Sequence, residues 1–488
     1  MAKNSLGLSL SSSELLNLIF IVPTSKPCVE KFEKAMKHSI FLLIALSFNA
    51  VFCQECEKED SRLICRYVTS MKSAVHLSKS IKNVDVIDFD DSVIPVVEKD
   101  FFRRFTKGIE LVWLDNSYVN EVESEAFDGM KDLTSLHLED NNIVELKPHT
   151  FKGIPNLEEL YLGGNNLFEV QPETFDFLNK LKILNLQDNN LVELAPGTFK
   201  NLESLEDLTI LYNNLLKIGD GVFDLKQLKY LYLQSNSLTE ISPKAFESLI
   251  NLEKLNLYNN NLFVLKPGTF NHLINLKELD LGFNSIISLD YQTFGSLIKL
   301  EILNIGYNNI QDIEEGDFHN LKNLKELHLE YNNLFKLSPA VFQNISSLKV
   351  INLSGNGFTE VTANCFEHSM NLEEVILNSN SITTIEKDAF ENLKNLNKLD
   401  LSYNSIANLD FTSSAKSLNV EYNSVKAVDA KTFIKQFPHL SNITMNSNRW
   451  DCASLVYVVK ELRDHHVDIL DNIISDDTNV NGISCSWE

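Results

Sequence analysis

Residues 133–146 read LTSLHLEDNNIVEL, and residues 157–170 repeat the pattern as LEELYLGGNNLFEV. Both segments place an aliphatic residue at positions one, four, six, eleven and fourteen, and asparagine at position nine. The second leucine serves as the marker of each unit, and it recurs as Val112, Leu136, Leu160, Leu184, Leu208, Leu231, Leu255, Leu279, Leu303, Leu327, Ile351, Val375, Leu399, Leu418 and Ile443. The step is 24 residues, except for 23 at Leu231, 19 at Leu418 and 25 at Ile443. With a degenerate first unit around Ile87, about sixteen units cover residues 84–450, which indicates a repeat architecture.

The fixed letters of the unit predict a strand, a turn and an outer aromatic layer. Leu-x-Leu alternates with a period of two, so this segment is a strand with its leucines inside. The asparagine follows where the chain turns, and its amide can satisfy backbone groups there and stack from unit to unit. A phenylalanine such as Phe127, Phe151 or Phe175 forms the outer layer. Because one unit cannot enclose a core, we predict a single α/β solenoid, a horseshoe with parallel strands on the concave face and a short cap at each end.

The first 53 residues are interpreted as a leader. A basic start at Lys37 and His38, an apolar run over residues 40–48 and small residues before Gln54 are typical of a secretory signal cleaved before Gln54. The apolar run is too short to cross a bilayer. Translation starting at Met36 would explain the residues in front of it, and an unusual leader over residues 1–35 or an ordinary buried helix are the alternatives. The signal predicts a secreted, extracellular protein.

Cysteine placement agrees with export. Cys56 and Cys65 precede the repeats, and Cys452 and Cys485 follow them. Cysteines at both ends of a repeat array are typical of end caps stapled in an oxidising compartment, so we expect the disulfides Cys56–Cys65 and Cys452–Cys485. With Cys28 and Cys53 in the expected leader, Cys365 is left over, and it is either a small buried thiol or half of an intermolecular bridge.

The caps are expected over residues 54–83 and 451–488. After Trp450 an amphipathic run predicts a helix lying across the last strand, with its apolar face formed by Leu455, Val458, Val459 and Leu462. Trp450 should cover the end of the core. The short unit that ends at Leu418 lacks its spine phenylalanine, and a local change of curvature is expected near residues 410–416.

Composition excludes several classes of function. The chain has 67 acidic and 43 basic residues and a net charge of −24, which argues against nucleic acid or an anionic membrane as the partner. No nucleophile elbow, phosphate loop, dinucleotide fingerprint or zinc-binding cysteine pattern occurs, so neither an enzyme nor a cofactor is predicted. His465 with Asp468 on the cap helix, and the run Asp88-x-Asp90-Asp91, carry side chains that can bind cations. Solvated or structural acidic groups are the preferred interpretation of both, and no metal site is predicted.

The repeat and its flanks resemble a known class of proteins. A signal, 24-residue units of the type L-x-x-L-x-L-x-x-N-x-L-x-x-L and flanking cysteines are similar to those of secreted and cell-surface animal leucine-rich repeat proteins, over about four fifths of the length. Asn448-x-Trp450-x-Cys452 followed by a helix resembles their C-terminal cap, with two cysteines here where most have four. The P-x-x-F motif at residues 148–151 is similar to that of insect members of the class. These include mosquito leucine-rich immune proteins, chaoptin-like adhesion proteins and Toll ectodomains.

The concave face is the expected ligand-binding surface. Exposed aromatic rings beside polar and acidic groups make a protein-recognition surface plausible there. The residues proposed to contact a ligand are Tyr161, Tyr232, Tyr258, Asp280, Phe283, Tyr307, His328, Glu330 and Tyr331. The aromatic residues from Tyr232 to Tyr331 among them are expected on neighbouring parallel strands. The alternative is that these tyrosines only serve the repeat, in which tyrosine is common before the turn asparagine. Three glycosylation sequons begin at Asn344, on an outer loop, and at Asn352 and Asn442, on concave strands.

These features lead to one principal hypothesis and one alternative. The resemblance implies a secreted recognition protein that binds a protein or a pathogen-derived extracellular ligand through its concave face, in innate immunity. The alternative is a cell-surface adhesion protein or receptor ectodomain in development or signalling. No nucleic acid partner and no membrane span are expected, and an oligomer is left open. Repeat identity does not specify the partner.

Overall fold

A computed structural model describes residues 55–66, 68, 83–99, 101–102, 107–336, 338–470 and 479–487. The predicted leader over residues 1–53 lies outside the described residues. What is described begins in the N-terminal cap and runs through the repeats into the C-terminal cap.

Short strands dominate the described residues. In the N-terminal half they are β1 (Glu55–Glu59), β2 (Arg62–Arg66), β3 (Val86–Asp88), β4 (Val96–Val97), β5 (Leu111–Trp113), β6 (Glu121–Val122), β7 (Ser135–His137), β8 (Glu159–Tyr161), β9 (Ile183–Asn185), β10 (Asp207–Thr209), β11 (Lys217–Ile218), β12 (Tyr230–Tyr232) and β13 (Glu240–Ile241). In the C-terminal half they are β14 (Lys254–Asn256), β15 (Glu278–Asp280), β16 (Ile302–Asn304), β17 (Glu326–His328), β18 (Val350–Asn352), β19 (Glu360–Val361), β20 (Glu374–Ile376), β21 (Thr384–Ile385), β22 (Lys398–Asp400), β23 (Ser417–Asn419), β24 (Asn442–Thr444), β25 (Asp468–Ile469), β26 (Asn479–Val480) and β27 (Ile483–Ser484). The helices are a 3-10 turn (Pro339–Phe342), α1 (Ala430–Gln436) and α2 (Cys452–Asp464).

One sheet of nineteen strands runs through the described chain from cap to cap. From β2 to β25 every neighbouring pair in it is parallel, and the marker residues stand opposite one another, as Leu136 opposite Leu160 and Leu303 opposite Leu327. The predicted parallel solenoid of about sixteen units is therefore confirmed. The sheet also extends beyond the expected repeat boundaries, because β2 pairs with β3 at one end and β25 pairs with β24 at the other.

The burial of each residue follows its position in the repeat unit. In the strands of the repeats the marker residue is buried and its two neighbours are half-buried or exposed. Each strand thus gives its leucine to the core and two side chains to the concave face. Because the marker leucines of successive units are in register, they form one core from end to end rather than separate cores.

The asparagine ladder forms as predicted. The side-chain amide of Asn260 donates to the carbonyl oxygens of Leu233 and Leu257, both at 3.0 Å, and its Oδ1 accepts from the backbone N–H of Leu238 at 3.1 Å. Leu233 and Leu238 belong to the preceding unit, so each amide ties two turns together. The same three bonds recur at Asn284. These bonds satisfy buried backbone groups that no strand reaches.

The outer layer is an aromatic spine. The phenylalanine rings stack nearly parallel from Phe127 to Phe318 with centroids 6.0–6.3 Å apart. The expectation that the short unit lacks a spine residue is wrong. Phe411 is fully buried there, and its ring meets Phe390 edge-on at 5.5 Å and Phe437 at 5.2 Å. Because the unit is five residues short, this ring enters the layer at a different angle from the others.

Both ends of the sheet are covered. At the N-terminal end β1 and β2 form an antiparallel hairpin that joins Cys56 to Cys65. At the C-terminal end a disulfide joins Cys452 to Cys485, and α2 buries the four apolar residues that the spacing predicted. Trp450 is buried beneath this cap, and its indole N–H donates to the carbonyl of Met445 at 2.9 Å. The ends of the core are thereby shielded from water.

Candidate functional site

Four aromatic rings from successive units form a continuous stack, which we call the aromatic ladder: Tyr258, Phe283, Tyr307 and Tyr331. The ring centroids lie 5.0 Å apart between the first two, 4.0 Å between Phe283 and Tyr307, and 4.5 Å between Tyr307 and Tyr331. The last two pairs are stacked nearly parallel. Four of the residues chosen from the sequence are therefore brought together, in one row that follows the axis of the solenoid.

The position of the ladder differs from the expected one. The rings are expected on the strands, but the strands end at Asp280, Asn304 and His328, and the rings lie in the turn that follows. Phe283, Tyr307 and Tyr331 have φ angles of 51–55°, in the left-handed region that the turn before the asparagine requires. Their rings remain 41%, 38% and 45% exposed. The ladder is thus a row along the edge of the concave face.

Glycine ends the ladder at the next unit. Gly355 takes the same left-handed position, with φ at 64°, and a Cβ atom there would come within 2.5 Å of Cδ1 of Tyr331. The ring of Tyr331 lies over this glycine in place of a further side chain. The same turn position carries aromatic residues again at Tyr403 and Tyr422, whose rings stack at 4.2 Å as a separate pair.

Acidic groups border the ladder on its concave side. Burial raises the pKa of Asp280, and its Oδ1 accepts a hydrogen bond from the backbone N–H of Gly282 at 2.9 Å. Burial also raises the pKa of Glu330, and its Oε2 is buried without a hydrogen-bond partner. His328 Nδ1 lies 3.9 Å from the same oxygen. Asp280, His328 and Glu330 therefore form one half-buried polar group beside the rings.

Two glycines make room for these side chains. A Cβ atom at Gly306 would lie 2.7 Å from Cδ of Glu330, and one at Gly282 would lie 3.2 Å from a ring carbon of Tyr258. Glu330 and Tyr258 thus lie across backbone that has no side chain of its own. Any larger residue at Gly306 would push the carboxylate away from its present place.

The remaining predicted residues lie elsewhere on the concave face. Tyr161 in β8 stacks on His137 with ring centroids 4.4 Å apart, and Trp113 meets His137 edge-on at 5.9 Å. Tyr232 is half-buried in β12, where burial raises its pKa. The nine predicted contact residues therefore divide into the ladder with its polar group, the isolated Tyr232, and a second aromatic group near the N-terminal end.

The sequons occupy the expected surfaces. Asn344 is exposed on the outer side after the 3-10 turn, and Asn352 and Asn442 lie in the concave strands β18 and β24. Asn352 Oδ1 accepts hydrogen bonds from the backbone N–H and the hydroxyl of Ser354. Glycosylation at these positions stays a prediction.

A row of exposed apolar residues beside the turn was not predicted from the sequence. Where the chain leaves the turn, the residue after the first apolar residue that follows the asparagine is exposed, and in about half of the units it is a large apolar residue. These exposed residues, which we call the apolar flank, are Val144, Phe168, Val192, Leu216, Phe263, Ile287 and Phe335. Their backbones lie side by side, since Leu216 N donates to Val192 O at 3.2 Å. The sequence does contain a signal for this row, because apolar residues recur about every 24 residues at a position that the repeat pattern leaves unspecified.

The two side-chain clusters considered as cation ligands do not form cation sites in the structure. The helix α2 ends at Asp464, so His465 and Asp468 do not share a helix face, and Asp468 belongs to β25. Asp88 forms an ion pair with Arg62, and Asp90 with Arg66 at 3.0 Å. These acids are satisfied by arginines. Among the described residues, one group with suitable donors does converge, formed by Asp115, His137 and Glu139.

A family model described as leucine rich repeat matches this chain in overlapping stretches. The matched residues are 108–167, 155–215, 204–262, 250–308, 275–334, 298–358, 322–376 and 370–415, which together cover more than half of the sequence. The chain belongs to the leucine-rich repeat family. No curated protein sequence matches this leucine-rich repeat protein.

Solved structures share the fold of this leucine-rich repeat protein. A leucine-rich repeat protein of Leptospira interrogans is similar with a TM-score of 0.56 and 24% identity, over 75% of this chain and 97% of that one. The leucine-rich repeat domain of APL1 is similar with a TM-score of 0.52 and 21% identity, over 88% of this chain and 99% of that one. At these identities the likeness concerns the fold alone. Within the described residues, no helix has the length and apolar character needed to cross a membrane.

Proposed function

We propose that this protein is a secreted recognition protein whose aromatic ladder binds a protein or another extracellular ligand. The observation that carries the proposal is the unbroken stack of Tyr258, Phe283, Tyr307 and Tyr331 on the outer edge of the concave face. Solenoids bind partners along extended surfaces of this kind. Tyrosine rings are frequent anchors in such interfaces, since they bury a large area at little cost in conformational entropy.

The polar group beside the ladder supports the proposal. Glu330 places a carboxylate beside the rings, and a partner that brings an ammonium or guanidinium group to this side chain would gain a charge-assisted hydrogen bond. Stacking against neighbours already restricts the rings of Phe283 and Tyr307, so little rotational freedom would be lost on binding. Aromatic anchors next to a carboxylate suit a partner with a basic and apolar surface.

The extracellular part of the proposal depends on different observations. The apolar run before Gln54 and the cysteine pairs in both caps support export into an oxidising compartment. We propose a role in innate immunity for the secreted protein, on the resemblance of its repeats to those of insect immune members. A membrane-attached adhesion protein or receptor is the competing function.

Fractionation and capture test the proposal in two steps. The protein should be recovered from the medium of expressing cells, with an amino terminus at Gln54, rather than from washed membranes. An amino terminus well upstream of Met36, or retention with membranes, contradicts secretion by this signal. The purified protein is then used as bait in body fluid before and after microbial challenge, and mass spectrometry identifies what is retained. A partner retained equally by a ladder variant contradicts the assigned surface.

A further inference from the structure

Three metal-ligand side chains converge near the N-terminal end of the concave face. Asp115 follows β5, His137 ends β7, and Glu139 follows two residues later. One donor atom from each, a carboxylate oxygen or an imidazole nitrogen, lies within 4.8 Å of the other two. The 24-residue period brings Asp115 beside Glu139, because these two residues hold the same position in adjacent units. This cluster is separate from the aromatic ladder.

Hydrogen bonds outside the cluster fix the tautomer of His137. Its Nε2 lies 3.2 Å from Oγ of Ser135, and the hydroxyl of Ser135 donates to Oε2 of Glu159 at 3.1 Å. Because the only proton of this hydroxyl goes to Glu159, Ser135 must accept from Nε2–H. In the neutral imidazole the lone pair is then on Nδ1, which lies 3.6 Å from Oε2 of Glu139.

This arrangement directs electron-rich atoms at one another. The lone pair of His137 and the carboxylates of Asp115 and Glu139 face a common space on a half-buried surface. The backbone N–H of Glu139 donates to Oδ1 of Asp115 at 2.8 Å, which fixes the position of that carboxylate. A positive charge in this space would relieve the repulsion.

We propose that Asp115, His137 and Glu139 bind a divalent cation, with Zn²⁺ as the best match to one imidazole and two carboxylates. Zinc accepts nitrogen and oxygen ligands, and sites with three protein ligands keep a fourth position open. The relay from His137 through Ser135 to Glu159 is the outer support that metal-binding histidines commonly have. The rings of Trp113 and Tyr161 both contact His137 on the concave face, so a partner bound to this face would lie next to the site and could supply a further ligand. This adds a second contact point to that face.

Calorimetric titration of the full, EDTA-treated protein with ZnCl2 tests the site. We expect one site in the micromolar range, and His137→Gln should weaken Zn²⁺ binding by at least about 100-fold, since even loss of an outer-shell partner costs about 10–100-fold. His368→Gln is the matched control, because its Nε2 also lies close to a glutamate, Glu367, at 3.3 Å but outside any such cluster. The control should bind Zn²⁺ like the unaltered protein. Circular dichroism verifies that each variant is folded.

The supporting hydroxyl and a second cation sharpen the test. Ser135→Ala should weaken Zn²⁺ binding by about tenfold while leaving one site, because it removes only the acceptor of Nε2–H. Ca²⁺, which prefers six or more oxygen ligands, should bind much more weakly than Zn²⁺. The proposal is overturned if no Zn²⁺ binds in the micromolar range. It is also overturned if the folded His137→Gln variant retains full affinity and stoichiometry.

Discussion

Truncation of two aromatic residues of the same repeat unit is expected to lower the free energy of unfolding by very different amounts. Phe318 is fully buried, and its ring stacks on Phe294 at 6.3 Å, so Phe318→Ala leaves a cavity between turns of the solenoid. Loss of a buried phenylalanine costs about 3–5 kcal/mol. Tyr307 is 38% exposed and touches rings at 4.0 and 4.5 Å, and its truncation should cost no more than about 1 kcal/mol.

Chemical denaturation measures both changes. Long repeat arrays can unfold without a single cooperative transition, so unfolding is followed both by circular dichroism and by tryptophan fluorescence. Phe318→Ala should lower the denaturant midpoint well below that of Tyr307→Ala at an unchanged slope. Equal midpoints for the two variants would refute the division of aromatic residues into a structural spine and a free ladder.

Three further predictions follow from the same packing. Asn260→Ala should lower the free energy of unfolding by about 2–4 kcal/mol, because the buried N–H of Leu238 and two carbonyls lose their partner, whereas the neighbouring Asn259→Ala, in the left-handed turn, should lower it by no more than about 1 kcal/mol; equal effects would contradict the ladder of amides. Cys365 is buried, which raises the pKa of its thiol to about 12, so a thiol reagent at mildly alkaline pH should label it only after denaturation, and rapid labelling of folded protein would contradict its burial. Peptide mapping should find each cap closed by its own disulfide, and reduction of either should cost about 2–4 kcal/mol; a bridge to Cys365 would contradict the pairing.

Much of the fold could be predicted from the repeat, because the residue type at each invariant position has a local physical cause. The marker leucines, the turn asparagines and the spine phenylalanines all recur with one period, so their register and burial follow from the sequence alone. Phe411 was missed because the short unit shifts it off that period, and its role depends on contacts with Phe390 and Phe437 across units.

The candidate site was less predictable, because its residues occupy positions of the repeat unit at which the residue type varies. Phe283 and Tyr307 could be recognised as exposed from their place before the asparagine, but their left-handed turn conformation moves them from the strands to the edge of the face. Convergence of His137 with Asp115 depends on side-chain directions across two units, and the fixed tautomer depends on Ser135. Period alone does not determine these directions.

Binding of a purified partner to ladder variants tests the central claim most directly. Once capture has identified a partner, surface plasmon resonance compares the unaltered protein, Tyr307→Ala/Tyr331→Ala and the matched control Tyr403→Ala/Tyr422→Ala. The control removes a stacked pair that is at least as exposed, from the same turn position outside the ladder. We predict that the ladder variant binds at least about thirtyfold more weakly, equivalent to about 2 kcal/mol, and that the control stays within about threefold. Full-strength binding by a folded ladder variant would contradict the claim and direct attention to the apolar flank.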